Sequence, residues 1–512
     1  MIKKALPSIL RTRFVHVVNN GTNTSGQSDE IYPVHFIDQA AVVRSSLISY
    51  TFRYDHVLDA QKLRESLAML LASGNWRKLG GRLRKNRDGK LEIHVPLHFN
   101  YDCPPFRFSH VKFDMDMNTH PLASLLPKKT GSQPSVHEGC HKFREFSIPS
   151  TLPTDITHYL STDEPLICLH INSFNDGTLV SLTFPHSLSD AMGTVGLLKA
   201  WAHVLHHHKG GSPKRELWGA REDVSASVGA ANDQTAQNTK FVLEDRQTTG
   251  LPLLFFMARY AVDALINRNI ETHHIYLPAS FLSHLRQQAE KETRLAKGDE
   301  DQSAKFVSDG DLITAWGSRM VISSARRKGM VAICNVFDMR GRLDSLKSPG
   351  AAVYLQNLIL PSTTLLTTEE ANSLSVSGIA FRVRRAIIEQ TSDAQVRSLM
   401  RLARIWFASL GTMPLFVSWN TVRVIACTNW SKARFLDHAD FGPAAVKPPG
   451  KTGVTIAKPV AYWGTTLSVT DKPRDTFVIY GKDHEGGYWV HAYLRKETWQ
   501  FIRAELDQFR PN

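Results

Sequence analysis

His186 and Asp190 lie four residues apart in Phe184-Pro185-His186-Ser187-Leu188-Ser189-Asp190-Ala191-Met192-Gly193. A neutral imidazole held rigidly within reach of substrate can take the proton from a hydroxyl or amine as it attacks a carbonyl. The carboxylate has two readings. It orients the imidazole, as the acid does in a Ser-His-Asp arrangement, or it caps the next helix and fixes the turn through an ion pair. Ser187 and Ser189 supply hydroxyls, but neither sits in the G-x-S-x-G elbow that presents a serine nucleophile. A lone buried histidine is usually a hydrogen-bonded core residue. Here a carboxylate, small neighbours and a helix start surround it, which favours a general base.

Strand and helix must meet at that turn. Leu166-Ile167-Cys168-Leu169-His170-Ile171 is apolar, and Leu179, Leu182 and Phe184 follow it across the turn signal Asn175-Asp176-Gly177. Beyond Asp190, Met192, Val195, Leu198 and Ala202 recur at helical spacing to about Leu205. His206-His207-His208 then precede Gly210-Gly211, a pattern that fits helix C-capping better than metal binding. Upstream, Asp59 opens a helix with Leu63, Leu67, Leu70 and Leu71 on one face, stopping near Gly74, and a strand over 91–95 follows the turn Arg87-Asp88-Gly89. From Ser212 to about Lys240 the chain is polar and reads as a linker or crossover. Leu251 to Ile266 reads as a buried or half-buried helix. Ser308 looks like an N-cap for Leu312, Ile313, Trp316 and Met320, and 330–336 reads as a buried strand. Strands near 476–480 and 488–494 and a helix from about Lys496 close the chain. The pattern is mixed α/β in two domains.

Bulk properties narrow the class. At 512 residues the chain exceeds one hydrophobic core. A 42% hydrophobic and 21% charged composition without low-complexity tracts excludes disordered, fibrous and repeat classes. Net charge is +13, with its densest run at Arg77-Lys78-Leu79-Gly80-Gly81-Arg82-Leu83-Arg84-Lys85-Asn86-Arg87. Lacking aromatic interleaving, this argues against nucleic acid and leaves a phosphate-bearing small molecule or a solvated loop. Cys103, Cys140, Cys168, Cys334 and Cys427 form no CxxC pair, which argues against a disulfide framework or zinc site and for a reducing compartment. No acid precedes Asp29, as in a mitochondrial presequence, but Pro7 and Val15-His16-Val17-Val18 weaken that reading. Sequons at Asn20 and Asn23 carry little weight without a secretory signal. The 251–266 segment contains Arg259 and Asp263 and falls short of the ~20 apolar residues of a membrane span.

The HxxxD pattern of His186 to Asp190, with Gly193 beyond it, resembles the motif of the BAHD acyl-CoA-dependent acyltransferases. Thr428-Asn429-Trp430-Ser431-Lys432 followed by Asp440-Phe441-Gly442-Pro443 resembles the family's Trp-containing strand and DFGWG motif. In matching order, Leu79-Gly80-Gly81-Arg82-Leu83 resembles its "P-L-A-G-R-L" turn, and Ser308 to Trp316 its "S-x-x-x-A-L-T-A-x-x-W" helix. Asp338-Met339-Arg340-Gly341-Arg342 resembles "D-x-R-x-R", and Tyr354-Leu355-Gln356-Asn357 "Y-x-G-N". Two departures stand out: Pro443-Ala444 replaces the Trp and Gly of DFGWG, and Gln356 replaces a glycine. Both point to the fungal branch of trichothecene O-acetyltransferase-like members.

The resemblance implies two chloramphenicol-acetyltransferase-like domains, each a mixed sheet with flanking helices, with the active site in a channel at their interface. Residues 1–211 would carry HxxxD, 212–270 would be the crossover, and 271–512 would carry the DFG motif. It implies direct acyl transfer from acyl-CoA, acetyl-CoA above all, to a hydroxyl of a small specialised metabolite, with His186 as general base. Asp190 would pair with Arg340 and hold the turn. Asp440 would hold the CoA-side loop, again through an arginine, with Lys432 and Gly442 as CoA contacts. Thr428 and Trp430 are either oxyanion donors or core residues. The expected partners are acyl-CoA and the acceptor, for a cytoplasmic monomer with no metal, nucleic acid or membrane span. Rival readings are an N-acyltransferase, a stand-alone condensation-type domain using a carrier-bound thioester, and an inactive binding relative.

Overall fold

The computed structural model describes residues 12–15, 29–207, 215–295, 306–325, 327–446, 455–467 and 473–511. The presequence reading, both sequons, and His208, Gly210 and Gly211 lie outside the described residues.

Two mixed sheets form the frame. The first runs, edge to edge, Thr12–Val15, Arg107–Lys112, Cys168–Ser173, Thr178–Pro185, Leu47–Tyr54 and Ala461–Leu467. The second runs Ile359–Thr367, Met330–Asp338, Thr421–Asn429, Thr476–Lys482, Tyr488–Arg495, Ile270–Leu277 and Ser135–Glu138. Each half lends a strand to the other. Ala461–Leu467 lies antiparallel to Leu47–Tyr54, and Ser135–Glu138 lies antiparallel to Ile270–Leu277. Boundaries at 211 and 271 therefore follow the chain but not the sheets.

Thr178–Pro185 is the strand that delivers His186, and every residue of it is buried. Its side chains alternate between faces. Val180, Leu182 and Phe184 join the core that includes Trp201 of the helix Ala191–His206. On the opposite face, the Ser181 hydroxyl donates to Thr51 Oγ1 and the Phe146 carbonyl, and that of Thr183 donates to Ser49 Oγ. A strand buried on both faces resists displacement, so the turn at its end is well anchored. The second sheet packs on the helix Asp309–Ser323, whose N-terminus carries a capping box between Ser308 and Asp311. Asp59 caps Ala60–Leu71 by accepting from Gln61 N and Lys62 N.

Two segments differ from their sequence reading. The polar stretch before Lys240 is more than a linker. Its Ala220, Val228 and Ala236 are buried, and Arg401 and Arg404 of the helix Asp393–Leu410 donate to its Ala236, Val228 and Ser225 carbonyls. Arginine forks do here what apolar periodicity does elsewhere. The apolar segment is indeed a helix, Gly250–Ile266, but only its Phe256 is buried. Among the described residues no helix is long and apolar enough to cross a membrane.

Candidate active site

The chain leaves Pro185 into a short 3₁₀ turn, His186–Leu188, then starts the helix Ala191–His206. The His186 amide donates to the Ser46 carbonyl at 2.8 Å. Asp190 is the N-cap of that helix and accepts from Gly193 N at 2.8 Å. Its carboxylate also takes two hydrogen bonds from Arg340, at 2.9 and 3.1 Å, and one from Leu358 N at 3.0 Å. The oxygens are thus committed to the helix and to residues 340–358, not to the imidazole. Burial works against the Arg340 charge, but Asp190 and Asp338 outweigh it and raise the guanidinium above its ordinary range. Ser189 is closed off as a nucleophile, since its hydroxyl donates to the Leu355 and Asp190 carbonyls. Gly193 is obligatory at its position. A Cβ there would run into the Leu355 carbonyl.

His186 is half-buried as a residue, and its Nδ1 is buried without a hydrogen-bond partner. Burial lowers its pKa, against the opposing pull of nearby main-chain groups and Asp190. The imidazole is therefore neutral at physiological pH, the form a general base needs.

Behind the turn lies a polar cluster that motif spacing did not reveal. Asn357 Nδ2 donates to the His186 carbonyl at 2.8 Å and to Asp38 Oδ1 at 2.5 Å, and its amide donates to the same oxygen at 3.1 Å. Gln356, the residue standing where the family has glycine, donates to Asp38 Oδ2 at 3.0 Å and accepts from Lys78 Nζ. Lys78 also donates to the Pro33 and Ala220 carbonyls, both at 2.9 Å. Burial pushes Asp38 up to about 7 and Lys78 down to about 7. Nothing in the spacing of Phe36-Ile37-Asp38-Gln39 marks Asp38, so only the fold could find it.

Lys78 is one cation of the basic run, and its neighbours are similarly engaged. Arg82 donates to the Gly80, Gly81 and Pro104 carbonyls, Arg84 to Thr162 and Asp163, and Arg77 to Pro96 and Leu97. This run braces loops. Only Lys85 and Arg87, exposed at its end, fit the solvated-loop reading.

Trp430 packs between Tyr50 and Tyr480, with ring centroids at 5.3 and 5.5 Å, and Tyr50 in turn stacks on Phe184. Its amide donates to Ile479, and Thr428 is half-buried on the strand before it. Lys432 is exposed. Asp440 accepts from Gly442 N at 3.0 Å and Ala457 N at 2.9 Å, and His206 Nε2 lies 3.9 Å from it. Among the described residues no arginine pairs with it, which corrects the expected arginine link. Main-chain amides hold this loop instead. Gly442 has no room for a Cβ because the Thr455 carbonyl lies against it. Ala444 is buried, and its carbonyl accepts from Asp59 N at 2.7 Å, so the loop docks on a helix start without the usual tryptophan.

Among the described residues one group could hold a metal: Cys140, His274 and His491. The Cys140 thiol lies 3.3 Å from His274 Nε2 and 3.8 Å from His491 Nδ1. His274 Nδ1 is 2.8 Å from the Glu138 carbonyl, so Nδ1 donates there and leaves Nε2 to accept from the thiol. Burial pushes the thiol up to about 12 and His274 down to about 4, which keeps both neutral. The three residues come from separate elements, so counting cysteine spacings could not bring them together.

The pattern of the Transferase family matches residues 146–442, from ahead of the HxxxD turn to Gly442. The chain belongs to this family, the HxxxD acyltransferases. Acetyltransferase BOT5 of Botryotinia fuckeliana is 54% identical over 96% of this chain and 93% of its own length. O-acetyltransferase PaAT-2 of Phomopsis amygdali is 35% identical over 95% and 99%. The crystal structure of F. graminearum TRI101 complexed with coenzyme A and T-2 mycotoxin superposes with a TM-score of 0.63 at 14% identity, covering 94% and 98% of the two chains. That likeness fixes the fold as two chloramphenicol-acetyltransferase-like halves. This HxxxD acyltransferase keeps both motif residues, with the aspartate turned toward Arg340 and the histidine left neutral.

Proposed function

We propose that the enzyme transfers an acetyl group from acetyl-CoA to a hydroxyl of a small specialised metabolite, with His186 as the catalytic base. The observation that carries this reading is the division of labour in the turn. Asp190 is spent on Arg340, Gly193 and Leu358, while Nδ1 of the neutral imidazole makes no hydrogen bond to a carboxylate or a serine hydroxyl.

His186 removes the proton from the acceptor hydroxyl as its oxygen attacks the thioester carbonyl carbon. The resulting tetrahedral oxyanion collapses, the C–S bond breaks, and the CoA thiolate leaves with the proton from the imidazolium. No acyl-enzyme is needed: the Ser189 hydroxyl is committed to two carbonyls and Ser187 is buried. General base catalysis contributes about 10²–10⁴-fold, and positioning of two substrates with oxyanion donors must supply the rest. The Thr428 hydroxyl and Trp430 indole N–H are the donors we assign. CoA enters on the side of Lys432 and the Asp440–Gly442 loop, and Asp190, Arg340 and Asp440 support the site without touching substrate. Residues 1–211 and 271–512 act as two domains around the channel, joined by 212–270. The enzyme works as a cytoplasmic monomer, a reducing setting that suits five free cysteines.

Two comparisons support this reading. Relatives across the chain's length are named acetyltransferase and O-acetyltransferase, and TRI101 holds coenzyme A together with a fungal metabolite in the same fold. The test is acetyl-CoA turnover, followed by thiol release and mass spectrometry, on the unacylated metabolite that accumulates when the gene is deleted. His186→Ala should abolish transfer with circular dichroism and melting temperature unchanged. A folded His186→Ala protein that retains activity would sink the mechanism.

A further inference from the structure

The helix Gly250–Ile266 is amphipathic the wrong way round. Its solvent side carries Leu251, Leu254, Phe255, Val262, Leu265 and Ile266, between 54% and 74% exposed. Its charged residues point inward: Asp263 pairs with Arg495 at 2.6 Å and Arg474 at 3.5 Å, and Arg259 donates to the Thr421 carbonyl. Only Phe256 is buried, against Ala332 and Val417. Exposed apolar surface on this scale marks an interaction site.

What covers this face can be argued from its chemistry. Its six outward positions carry only hydrocarbon side chains, and Tyr260, 43% exposed toward the cavity side, is the one exposed hydroxyl on the helix. Beside it lies a cavity of about 300 Å³ whose lining includes Val262 and Ile266 together with five arginines against three carboxylates. Arg423 and Arg495, both at least nine-tenths buried, pair with Asp475 at 3.8 and 3.6 Å, so the positive surplus of the lining falls to its remaining arginines, Arg327 at the exposed end among them. Exposed Arg246 and Arg268 flank the two ends of the helix beside Glu244, Asp245 and Glu271, while the whole chain carries +13. Trp419, 64% exposed, belongs to the segment whose Leu415 and Val417 pack beneath the helix. An apolar face beside a pocket in which arginines outnumber carboxylates, on a chain of net positive charge, suits a surface that is hydrocarbon within and anionic at its rim. The helix is too short to span that surface, so it would lie on it.

We propose that the Gly250–Ile266 helix docks the enzyme onto anionic lipid bilayers, its apolar face seated among the acyl chains and the flanking arginine cavity receiving headgroup phosphate. The site is remote in chain and in partners from His186, so docking and transfer are separable. The full-length enzyme should co-sediment with vesicles of phosphatidylcholine plus phosphatidylserine, more weakly with phosphatidylcholine alone, and less as salt rises. Leu254→Glu with Leu265→Glu should abolish sedimentation while leaving turnover of a soluble acceptor unchanged, which also shows that the variant folds. Arg327→Glu, on the cavity rim, should weaken partition about fivefold or more, given the affinity each basic charge adds near such a surface. Wild-type protein that stays in the supernatant at every lipid concentration overturns the proposal. So does equal binding to neutral and anionic vesicles, or a dimer seen by light scattering that the double variant abolishes, since the helix would then meet a second copy.

Discussion

At the scale of single residues, His186 and Asp190 sit in one turn and answer to different environments. Removing the Asp190 carboxylate would leave Arg340 buried with Asp338 alone, and uncompensated buried charge is expensive. Asp190→Ala should lower stability by about 3–5 kcal/mol in urea unfolding. An unchanged urea midpoint would reassign the aspartate. His186 makes a prediction with pH. Because burial lowers its pKa below the ordinary imidazole value, the base stays deprotonated below about 6.5. The acid limb of kcat/KM should accordingly fall below pH 6.5, and a limb at or above that value would contradict a desolvated base. The motif was legible because its two residues are adjacent in sequence. Asp38 was not, because it reaches His186 only through Asn357, from the far end of the chain.

Among the elements, the 339–358 segment decides whether the turn is rigid. It supplies Arg340, the Leu355 carbonyl, Asn357 and the Leu358 amide, all aimed at residues 186–190. Gly193→Ala would drive a methyl into Leu355 and part the helix from this segment. The expected result is a stability loss of about 1–3 kcal/mol, as for other overpacked sites, with a fall in kcat larger than any rise in KM. Steady-state kinetics with a normal kcat would remove this segment from the account. Gln356→Gly restores the family's residue yet should also destabilise, by about 1–3 kcal/mol, because Lys78 and Asp38 each lose a buried partner. A melting temperature equal to wild type would show water filling the gap. Helix starts at Asp59 and Ser308 were readable because caps are local chemistry. The anchoring of 225–236, with Val228 and Ala236 buried, was not, since arginines from the Asp393–Leu410 helix create it. Nor was the outward face of Gly250–Ile266, because apolar periodicity reports a face and not what lies against it.

Across the whole molecule, exchange of Ala461–Leu467 and Ser135–Glu138 ties the two sheets into one unit, which no sequence pattern announced since each strand is short and its partner distant. The interior so formed holds several histidines in neutral form, and that sets how stability responds to acid. Burial lowers His35 to about 3, His274 to about 4, His491 well below the imidazole range, and His186 in the same direction. Their folded pKa values lie below the unfolded value of about 6.5, so above that pH neither state binds the proton and nothing is lost. As pH falls below 6.5 the unfolded chain takes up protons that the folded chain refuses, and stability declines. His35 and His274 each cost about 1 kcal/mol by pH 5.5, and His491 and His186 act in the same direction. Asp38 opposes them: raised to about 7, it gains a proton in the folded state first and adds stability as pH drops through 7. Asp475, also raised by burial, acts in the same sense as Asp38, but the lowered histidines outnumber the two carboxyls, so stability falls between pH 7 and 5.5. Urea unfolding at both values checks it, with a lower midpoint expected at pH 5.5 that recovers on return to neutrality. His491→Gln, which removes one refused proton, should flatten the slope of stability against pH by about one proton. A midpoint that holds or rises at pH 5.5 would mean these histidines accept protons in place, and the dry interior around Cys140 and His274 would have to be wet.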